Sequence, residues 1–330
     1  MIWADQSTYK SRVALVPFST RVRVGPNGGG DQLMNKLTGL GATWSGYYKI
    51  CTSGSGSGGS ETGGNWTCNA YSTQYNTGWK IMPCVTDRFF NSTWTVDVTD
   101  DVPGSNAWLN AHDGGRMTKS WDSSDTAATA QLGKTSGDPA QHWNYEPGGS
   151  CADVGEGNQI MSLTSDKATL TARIDGLQAY GSTAGALGTA WAWYTLSPKW
   201  VSVWGGDDKP GPYSDLTAIQ GNGFPKLRKV AVLMTDGVYN TIRGWKDQNQ
   251  QQVSDYAKQM CANMKAQGIE IYAVGFALDE LGASERAIAT DTLKSCGTDL
   301  AHFYETLTVP QLQQAFKSIA LQMSTLYLAE

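Results

Sequence analysis

The chain has 330 residues, of which 40% are hydrophobic and 17% are charged, a balance that suits a globular protein able to bury a substantial core. Thirty acidic and 25 basic residues give a formal net charge of -5, and the sequence contains no cluster of lysine and arginine of the kind that neutralises phosphates. These features argue against nucleic acid as a partner.

The first predicted element is a short β-hairpin. Residues 12–19, RVALVPFS, form a mostly apolar run, and the following TRVRVG alternates polar and apolar residues as a half-exposed strand does. We expect these two strands to pair with each other in antiparallel fashion.

Residues 25–159 differ in composition from the sequence on either side. The region is rich in Gly, Ser, Thr, Asn and Trp, shows hardly any helical periodicity and includes the stretch CTSGSGSGGSETGGNWTC. Its many aromatic residues argue against a disordered linker. We therefore predict an inserted region of loops and short strands that folds on the main domain.

The sequence contains six cysteines, Cys51, Cys68, Cys84, Cys151, Cys261 and Cys296. None is arranged as Cys-x-x-Cys or beside a histidine at the spacing of a zinc site, so we expect three disulfides formed in an oxidising compartment. Six buried free thiols are the alternative in a chain this long. Cys51 and Cys68 would close the Gly/Ser stretch. Cys84 and Cys151 would tie the insertion together, although spacing alone does not determine connectivity.

Export is expected even though the sequence shows no export signal. The amino-terminal MIWADQSTYK lacks the basic start, apolar middle and cleavage site of a secretory signal, which by itself favours the cytoplasm. Apolar stretches such as TAWAWYTL fall short of the roughly 20 residues needed to cross a bilayer. Because the cysteines favour an oxidising compartment, we expect an exported protein whose signal lies outside this sequence.

Two helices are predicted shortly after residue 160. The segment LTSDKATLTARIDGL carries apolar residues at helical spacing, which are Leu163, Leu170, Ile174 and Leu177. Its N-cap is expected at Thr164 or Ser165, since hydroxyl side chains favour that position. The second helix, in AGALGTAWAWYTLSP, ends at Pro198, because proline disrupts a helix interior.

Three strands and two further helices are predicted in the remaining sequence. Residues 229–235 form a buried strand, followed by the amphipathic helix QQVSDYAKQMCANMKAQG and the strand IEIYAVGF. A helical or irregular stretch then reaches Cys296, and the short strand AHFYET precedes the terminal helix VPQLQQAFKSIALQMSTLYL. This alternation predicts an α/β fold, in which a mostly parallel sheet carries helices on both faces.

Asp236 stands at the end of the strand in KVAVLMTDGVYN, where ligands bind in open α/β sheets. Thr-Asp-Gly alone favours a turn, or a cap for the next helix. Thr183 precedes a helix in YGSTAGALG, where its hydroxyl is placed to face the same sheet edge or to act as an N-cap. Because carboxylates and hydroxyls are hard oxygen donors of the kind Mg²⁺ accepts, Thr183 and Asp236 are candidate metal ligands.

Four segments in this order resemble the von Willebrand factor type A domain: RVALVPFS, GSTAGALGTAWAWYTLSP, KVAVLMTDGVYN and GIEIYAVGF. More narrowly, they are similar to the domains of TadG-like proteins in bacterial tight-adherence (Tad/Flp) pilus systems. CVTDR, the placement of Cys261 and Cys296, and the closing LQQAFKSIALQMSTLYL are also similar to that family. The resemblance covers residues 11–24 and 160–330, and it implies a Rossmann-like α/β domain interrupted by the insertion.

The resemblance also implies a metal ion, usually Mg²⁺, held by three loops: Asp-x-Ser-x-Ser, a Thr and an Asp. Thr183 matches the second loop and Asp236 the third. Asp5 and Ser7 occur in ADQSTY, but Tyr9 replaces the last serine and no hydrophobic strand precedes them, so we interpret both as loop residues. We expect the family's first strand, first helix and membrane anchor to lie outside this sequence, or the strand and helix to come from another chain.

No catalytic motif supports an enzyme. The sequence contains three histidines, His112, His142 and His302. None of them lies in a recognisable catalytic motif. His112 beside Asp113 is more typical of a solvated loop than of a triad. The sequence also contains two acidic pairs, Asp100–Asp101 and Asp207–Asp208. We interpret them as solvated turn charges, and Ca²⁺ binding is the alternative.

A binding module accounts for more of the sequence than an enzyme does. The resemblance implies that a partner's carboxylate completes the coordination of the ion, and the aromatic insertion offers a contact surface or fills its own core. We expect a non-enzymatic component of a bacterial cell envelope that binds a protein partner in Tad/Flp pilus assembly or adhesion. The alternative is a structural surface or pilus-associated building block with a vestigial metal site. A secreted hydrolase is less favoured.

Overall fold

The computed structural model describes Ile2 and residues 10–25, 43–55, 67–81, 84–88, 95–102, 145–147, 154–179, 181–221, 223–242 and 248–325. These residues form the α-helices α1 (Lys167–Asp175), α2 (Gly185–Leu196), α3 (Gln250–Ala266), α4 (Ala283–Cys296) and α5 (Val309–Thr325). The strands are β1 (Val13–Leu15), β2 (Val22–Arg23), β3 (Thr43–Ser55), β4 (Thr67–Ile81), β5 (Cys84–Val85), β6 (Tyr145–Pro147), β7 (Met161–Thr164), β8 (Val230–Thr235), β9 (Glu270–Phe276) and β10 (Phe303–Thr306). Within these ranges no helix has the length and apolar character needed to cross a membrane.

A parallel sheet in the order β10-β9-β8 forms the centre of the α/β part. Ala273 of β9 lies between Leu233 of β8 and Phe303 of β10. Because parallel strands need crossover connections, α3 joins β8 to β9 and α4 joins β9 to β10. Aliphatic runs such as VAVLMT suit strands that are covered on both faces. The prediction of a mixed α/β fold with a parallel sheet is confirmed.

Helices pack on both faces of this sheet. On one face, Leu233 of β8 packs in a cluster with Trp193 of α2 and Met264 of α3. On the other face, Val274 of β9 packs with Ile319 of α5. Successive side chains of a strand point to opposite faces, so each strand contributes to both layers.

Helix α2 is the most deeply buried helix that the structure describes, with apolar and small residues around nearly its whole circumference. Two of its glycines permit close approach of aromatic rings. A Cβ at Gly185 would overlap the ring of Tyr239, and one at Gly188 would overlap the ring of Phe18. The segments that follow β1 and β8 therefore pack directly on the first turns of α2.

The predicted hairpin near the amino terminus is wrong. β1 pairs in antiparallel fashion with β7, and β2 pairs in the same way with β5, so each strand has a partner distant in sequence. The residues between β1 and β2 do not form a tight turn because they are bonded elsewhere. The carbonyl oxygen of Ser19 accepts a hydrogen bond from the N–H of Ala184 at 2.7 Å.

Helix α1 begins later than predicted. Leu163 belongs to β7, and the N-cap is Asp166 rather than Thr164 or the residue after it. The Asp166 carboxylate accepts hydrogen bonds from the N–H groups of Ala168 (2.9 Å) and Thr169 (3.1 Å). Aspartate competes well for this position because its oxygen satisfies amides of the first helical turn.

Parts of residues 25–159 pack into the α/β core. Val85 of β5, Val96 and Val98 belong to the same buried cluster as Trp191 of α2 and Trp200. In the same region β3 and β4 pair in antiparallel fashion, and β6 adds to β4. These two strands have 13 and 15 residues, so the prediction of short strands is wrong. Threonine, tyrosine and tryptophan recur along both and favour extended structure.

The structure contains disulfides, as predicted. Cys261 of α3 and Cys296 of α4 form a bond that is fully buried between the two helices. Cys84 is also disulfide-bonded, whereas its predicted partner Cys151 lies outside the described residues. Disulfides of this kind favour a compartment outside the reducing cytoplasm. Cys51 and Cys68 form the other predicted pair, and they lie on the adjacent strands β3 and β4, respectively.

Candidate functional site

The Thr-Asp-Gly turn displays Asp236 at the carboxyl end of β8. The hydroxyl of Thr235 donates to the carbonyl oxygen of Gly237 (3.0 Å) and accepts from the Gly237 N–H (3.2 Å), which closes the turn without the Asp236 side chain. Asp236 is exposed, and no group among the described residues donates a hydrogen bond to its carboxylate. Asn249 caps α3, so the alternative that Asp236 caps the next helix is wrong.

Thr183 lies beside this turn. Its Oγ1 is 3.6 Å from the position that a Cβ would occupy at Gly237, so the hydroxyl faces the backbone next to Asp236. The alternative role of Thr183 as an N-cap is wrong, because the residue in that position of α2 is Ala184. The structure thus places the two predicted metal ligands in neighbouring loops at one edge of the sheet.

Asn240 holds these two loops together. Its Oδ1 accepts hydrogen bonds from the hydroxyl of Ser182 (2.7 Å) and the N–H of Thr183 (3.0 Å), and its own N–H donates to the carbonyl oxygen of Thr183 (3.1 Å). Sequence analysis missed this residue. The available signal was an amide side chain in the short segment that follows Thr-Asp-Gly, where local turns favour asparagine.

The segment after β1 joins the same cluster of loops. The hydroxyl of Thr20 accepts a hydrogen bond from the N–H of Ser182 at 3.2 Å, next to the bond between Ser19 and Ala184. Three loops from distant parts of the chain therefore meet where β8 ends. Their hydroxyls and carbonyl oxygens give this edge a polar lining.

Two aromatic rings form the apolar base of the loop cluster. Phe18 and Tyr239 meet edge to face, with ring centroids 6.4 Å apart. Burial raises the pKa of Tyr239 to about 12, and a hydrogen bond involving Thr189 opposes that rise. The phenol is therefore neutral at physiological pH and acts as a packing group.

The donors at this edge suit a hydrated divalent ion. The described residues contain no group of three or more His, Cys, Asp or Glu side chains placed to hold a metal. A site here would use the carboxylate of Asp236 and the neutral oxygen of Thr183. Mg²⁺ accepts such a set, since it commonly uses one or two carboxylates and retains several waters. Asp5 and Ser7 lie outside the described residues.

The interpretation of Asp100 as a solvated turn charge is wrong. The residue is 3% exposed, and its Oδ2 accepts hydrogen bonds from the hydroxyls of Ser197 (2.6 Å) and Tyr213 (2.8 Å). Its Oδ1 accepts from Nζ of Lys199 at 2.8 Å. Burial alone would raise the pKa of Asp100, but the hydrogen bonds from Lys199, Ser197 and Tyr213 lower it overall. The carboxylate is thus neutralised internally rather than offered to Ca²⁺.

The other candidate residues have separate locations. Asp208 accepts a hydrogen bond from the Ser162 hydroxyl at 2.5 Å. His302 lies between two carboxylates, with Nδ1 2.7 Å from Oδ1 of Asp299 and Nε2 3.0 Å from Oε1 of Glu270. This histidine is at the amino ends of β9 and β10, away from Asp236. The remaining candidates lie outside the described residues, and they are His112, Asp113 and His142.

Comparison with known proteins gives little similarity. The chain matches no family model and no curated protein. Among solved structures it is similar to proximal thread matrix protein 1 from the mussel byssus, with 16% sequence identity and a TM-score of 0.28. That similarity covers 48% of this chain and 29% of the mussel protein. These values support no argument about fold or function.

Proposed function

We propose that this protein is a non-enzymatic, protein-binding component of a bacterial cell envelope. It works through a Rossmann-like, von Willebrand A-like domain in tight-adherence pilus assembly or in adhesion. The observation that supports the proposal most is the juxtaposition of Thr183 with the turn of Asp236, the two positions that the family resemblance assigns to a metal ion. The Cys261–Cys296 disulfide supports a location in the periplasm or at the cell surface.

Thr183 and Asp236 are the residues that would hold Mg²⁺ or another divalent cation. When bound, the ion supplies a positive charge with open coordination positions for an acidic group of a protein partner. Asp236 contributes the negative charge, and Thr183 contributes a neutral oxygen. Asn240 keeps the Thr183 loop in place, because its side chain and backbone both bond to that loop.

A structural building block with a vestigial metal site is the second candidate. It is favoured because the described residues include no group of three or more His, Cys, Asp or Glu placed to hold a metal, whereas dedicated cation sites in proteins usually gather several charges. In that case the long β3-β4 ladder carries the contacts with other components.

Calorimetric titration with Mg²⁺ and Mn²⁺ separates the two candidates. We expect saturable binding to the full chain, abolished by Asp236→Ala and weakened about tenfold by Thr183→Ala, because one ligand of several is then lost. Asp175→Ala, which removes an exposed carboxylate from the end of α1, is the matched control and should leave binding unchanged. If no ion binds, or if Asp236→Ala has no effect, the metal-assisted proposal is wrong and the building block is favoured.

A further inference from the structure

The long ribbon of β3 and β4 leaves one of its edges open. The strand order in this sheet is β3-β4-β6, so β4 lies between two strands, whereas β3 has a neighbour on one side only among the described strands. β3 has 13 residues, about twice the usual length of a strand. Every second residue along β3 therefore directs its N–H and C=O groups away from β4.

The ribbon gains little support from the rest of the described structure. Among the described elements, β3 and β4 pack extensively only against each other, and β4 also packs against β6. A two-stranded ribbon is at best marginally stable in water unless another strand or surface adds to it. β6 covers only one end of β4, where it pairs with Trp79, Lys80 and Ile81. A further strand at the edge of β3 would therefore stabilise the ribbon.

The part of this edge that suits pairing is residues 43–51. The register shift near the start of β3 places an extra residue in β4, between Asn76 and Trp79, and the next shift makes Thr52 an extra residue of β3. Residues 43–51 thus form an unbroken edge about 31 Å long. Natural edge strands are commonly protected by proline, bulges or charges, and of these features this segment contains only the charge of Lys49.

We propose that residues 43–51 pair in antiparallel fashion with the same residues of a second copy of this chain. Both copies present the same row of N–H and C=O groups, and such a row is complementary to itself about a two-fold axis. A different protein would need an open edge of similar length, whereas every copy of this chain carries one. The pairing joins two sheets into one, in the order β6-β4-β3-β3-β4-β6.

Overlap and charge determine the register of this pair. All of residues 43–51 are paired when the two-fold axis passes through Tyr47, which then lies opposite its own copy. In that register Lys49 lies opposite Ser45. An axis at Lys49 would place like charges opposite each other, which is destabilising, and would bring the bulge at Thr52 into the pair.

The size of the interface predicts a weak, reversible dimer. Pairing of residues 43–51 makes about nine main-chain hydrogen bonds, close to the number in a typical protein interface. An edge about 31 Å long and about 10 Å thick buries only about 600 Å² in total, less than the roughly 1,000 Å² of a stable complex. We therefore expect a dissociation constant on the order of 0.1 mM.

Sedimentation equilibrium of the full chain, from about 10 μM to about 1 mM, measures this self-association. Tyr47→Lys should weaken it by about tenfold or more, because two lysines then face each other at the axis. Tyr75→Lys is the matched control, since Tyr75 is the cross-strand partner of Tyr47 on β4. It makes the same change in the same ladder but away from the open edge, so its effect should be less than about threefold.

A mixture of two charge variants tests the register. Tyr47→Glu alone should also weaken the dimer by about tenfold or more, because two carboxylates then meet. An equimolar mixture of Tyr47→Lys and Tyr47→Glu should regain the association of the unmodified chain, since opposite charges lie across the axis. Mixing would not restore association if either substitution acted only by disrupting the fold.

Hydrogen exchange of the unmodified protein identifies the edge that forms the contact. Alternate amides of residues 43–51 should exchange about fivefold more slowly near 1 mM than in dilute solution, because most chains are then dimeric. The amides between them face β4 and should be protected at every concentration. Chelation should leave the dimer unchanged, since the pairing does not depend on an ion at Asp236. The proposed metal function and this inference therefore fail independently.

Three results would overturn the inference. The first is a chain that stays monomeric up to about 1 mM. The second is a dimer that Tyr47→Lys and Tyr75→Lys weaken equally, or that the mixture of charge variants does not restore. The third is full protection of all the amides of residues 43–51 in dilute solution, which would mean that another part of this chain covers the edge.

Discussion

Replacing Asp100 with asparagine tests the buried polar network around this carboxylate. The substitution keeps the size of the side chain but removes its negative charge and turns one acceptor atom into a donor. Lys199 and the hydroxyls of Ser197 and Tyr213 all donate to this carboxylate. An asparagine at this position must therefore place its NH₂ group against at least one of these donors.

The expected loss of stability follows from the number and kind of these bonds. The hydroxyl of Tyr213 accepts a hydrogen bond from Nε1 of Trp193 at 2.9 Å, so its own proton is committed to Asp100. Hydrogen bonds to charged groups contribute about 1.5–3 kcal/mol each. Lys199 is 47% exposed and regains water when its partner is lost. We therefore expect Asp100→Asn to lower the free energy of unfolding by about 2–4 kcal/mol.

Guanidinium unfolding at several pH values measures this effect. Because the hydrogen bonds hold the pKa of Asp100 below its ordinary value of 3.8 in the folded state, its stabilisation is present above pH 3.8. That stabilisation is lost as the pH falls through the folded-state pKa. The difference in stability between the unmodified protein and Asp100→Asn should therefore be constant near neutral pH and shrink in acid.

Asp101→Asn is the matched control. Asp101 also accepts a hydrogen bond from Lys199, at 2.6 Å, but its side chain is 66% exposed. Exposed ion pairs contribute about 0–1 kcal/mol, so the control should change stability by no more than that. Equal effects of the two substitutions, or a difference for Asp100→Asn that does not depend on pH, would refute the argument.

Three further substitutions test the packing between the helices and the sheet. Gly185→Ala should lower the free energy of unfolding by about 1–3 kcal/mol, because the added Cβ overlaps the ring of Tyr239. Replacing both Cys261 and Cys296 with alanine should lower it by about 2–4 kcal/mol, since the bond closes a sequence separation of 35 residues in the unfolded chain. Ser254→Ala should raise it by about 1 kcal/mol, because this buried hydroxyl has no hydrogen-bond partner among the described residues. Denaturant midpoints measured in one buffer check all three.

Each of these predictions has a result that contradicts it. Gly221 has open space around its Cβ position, so Gly221→Ala should be nearly neutral, and an equally mild Gly185→Ala would contradict the proposed overlap. An unchanged midpoint in the variant without Cys261 and Cys296 would show that their bond does not constrain the unfolded chain. A lower midpoint for Ser254→Ala would show that the hydroxyl has a stabilising partner.

The elements with strong local patterns were predictable. The strand expected at 229–235 is Val230–Thr235 in the structure, and the expected strand IEIYAVGF is Glu270–Phe276. Long aliphatic runs and helical spacing reflect which faces must be buried, so they mark such elements without knowledge of their neighbours. The same pattern placed Asp236 at a strand end and Thr183 ahead of a helix.

Pairing between distant segments was not predictable in the same way. The strand near Val13 and the strand near Val22 each satisfy a local pattern, and a hairpin is the nearest arrangement that satisfies both. In the structure their backbone groups pair with β7 and β5, because loop residues between them bond to the segment before α2. Choosing among possible partners depends on the packing of the whole molecule.

The sequence by itself determined the α/β character of this protein and the parallel direction of its carboxyl-terminal strands. It also determined that Asp236 follows a strand and that Thr183 precedes a helix. Each of these features depends on local spacing and residue chemistry. Only the tertiary structure decided that Asp100 is buried and that Asn240 joins two loops. A charged group is stable in the interior only when donors from distant segments surround it, and Ser197, Lys199 and Tyr213 meet Asp100 only in the folded chain.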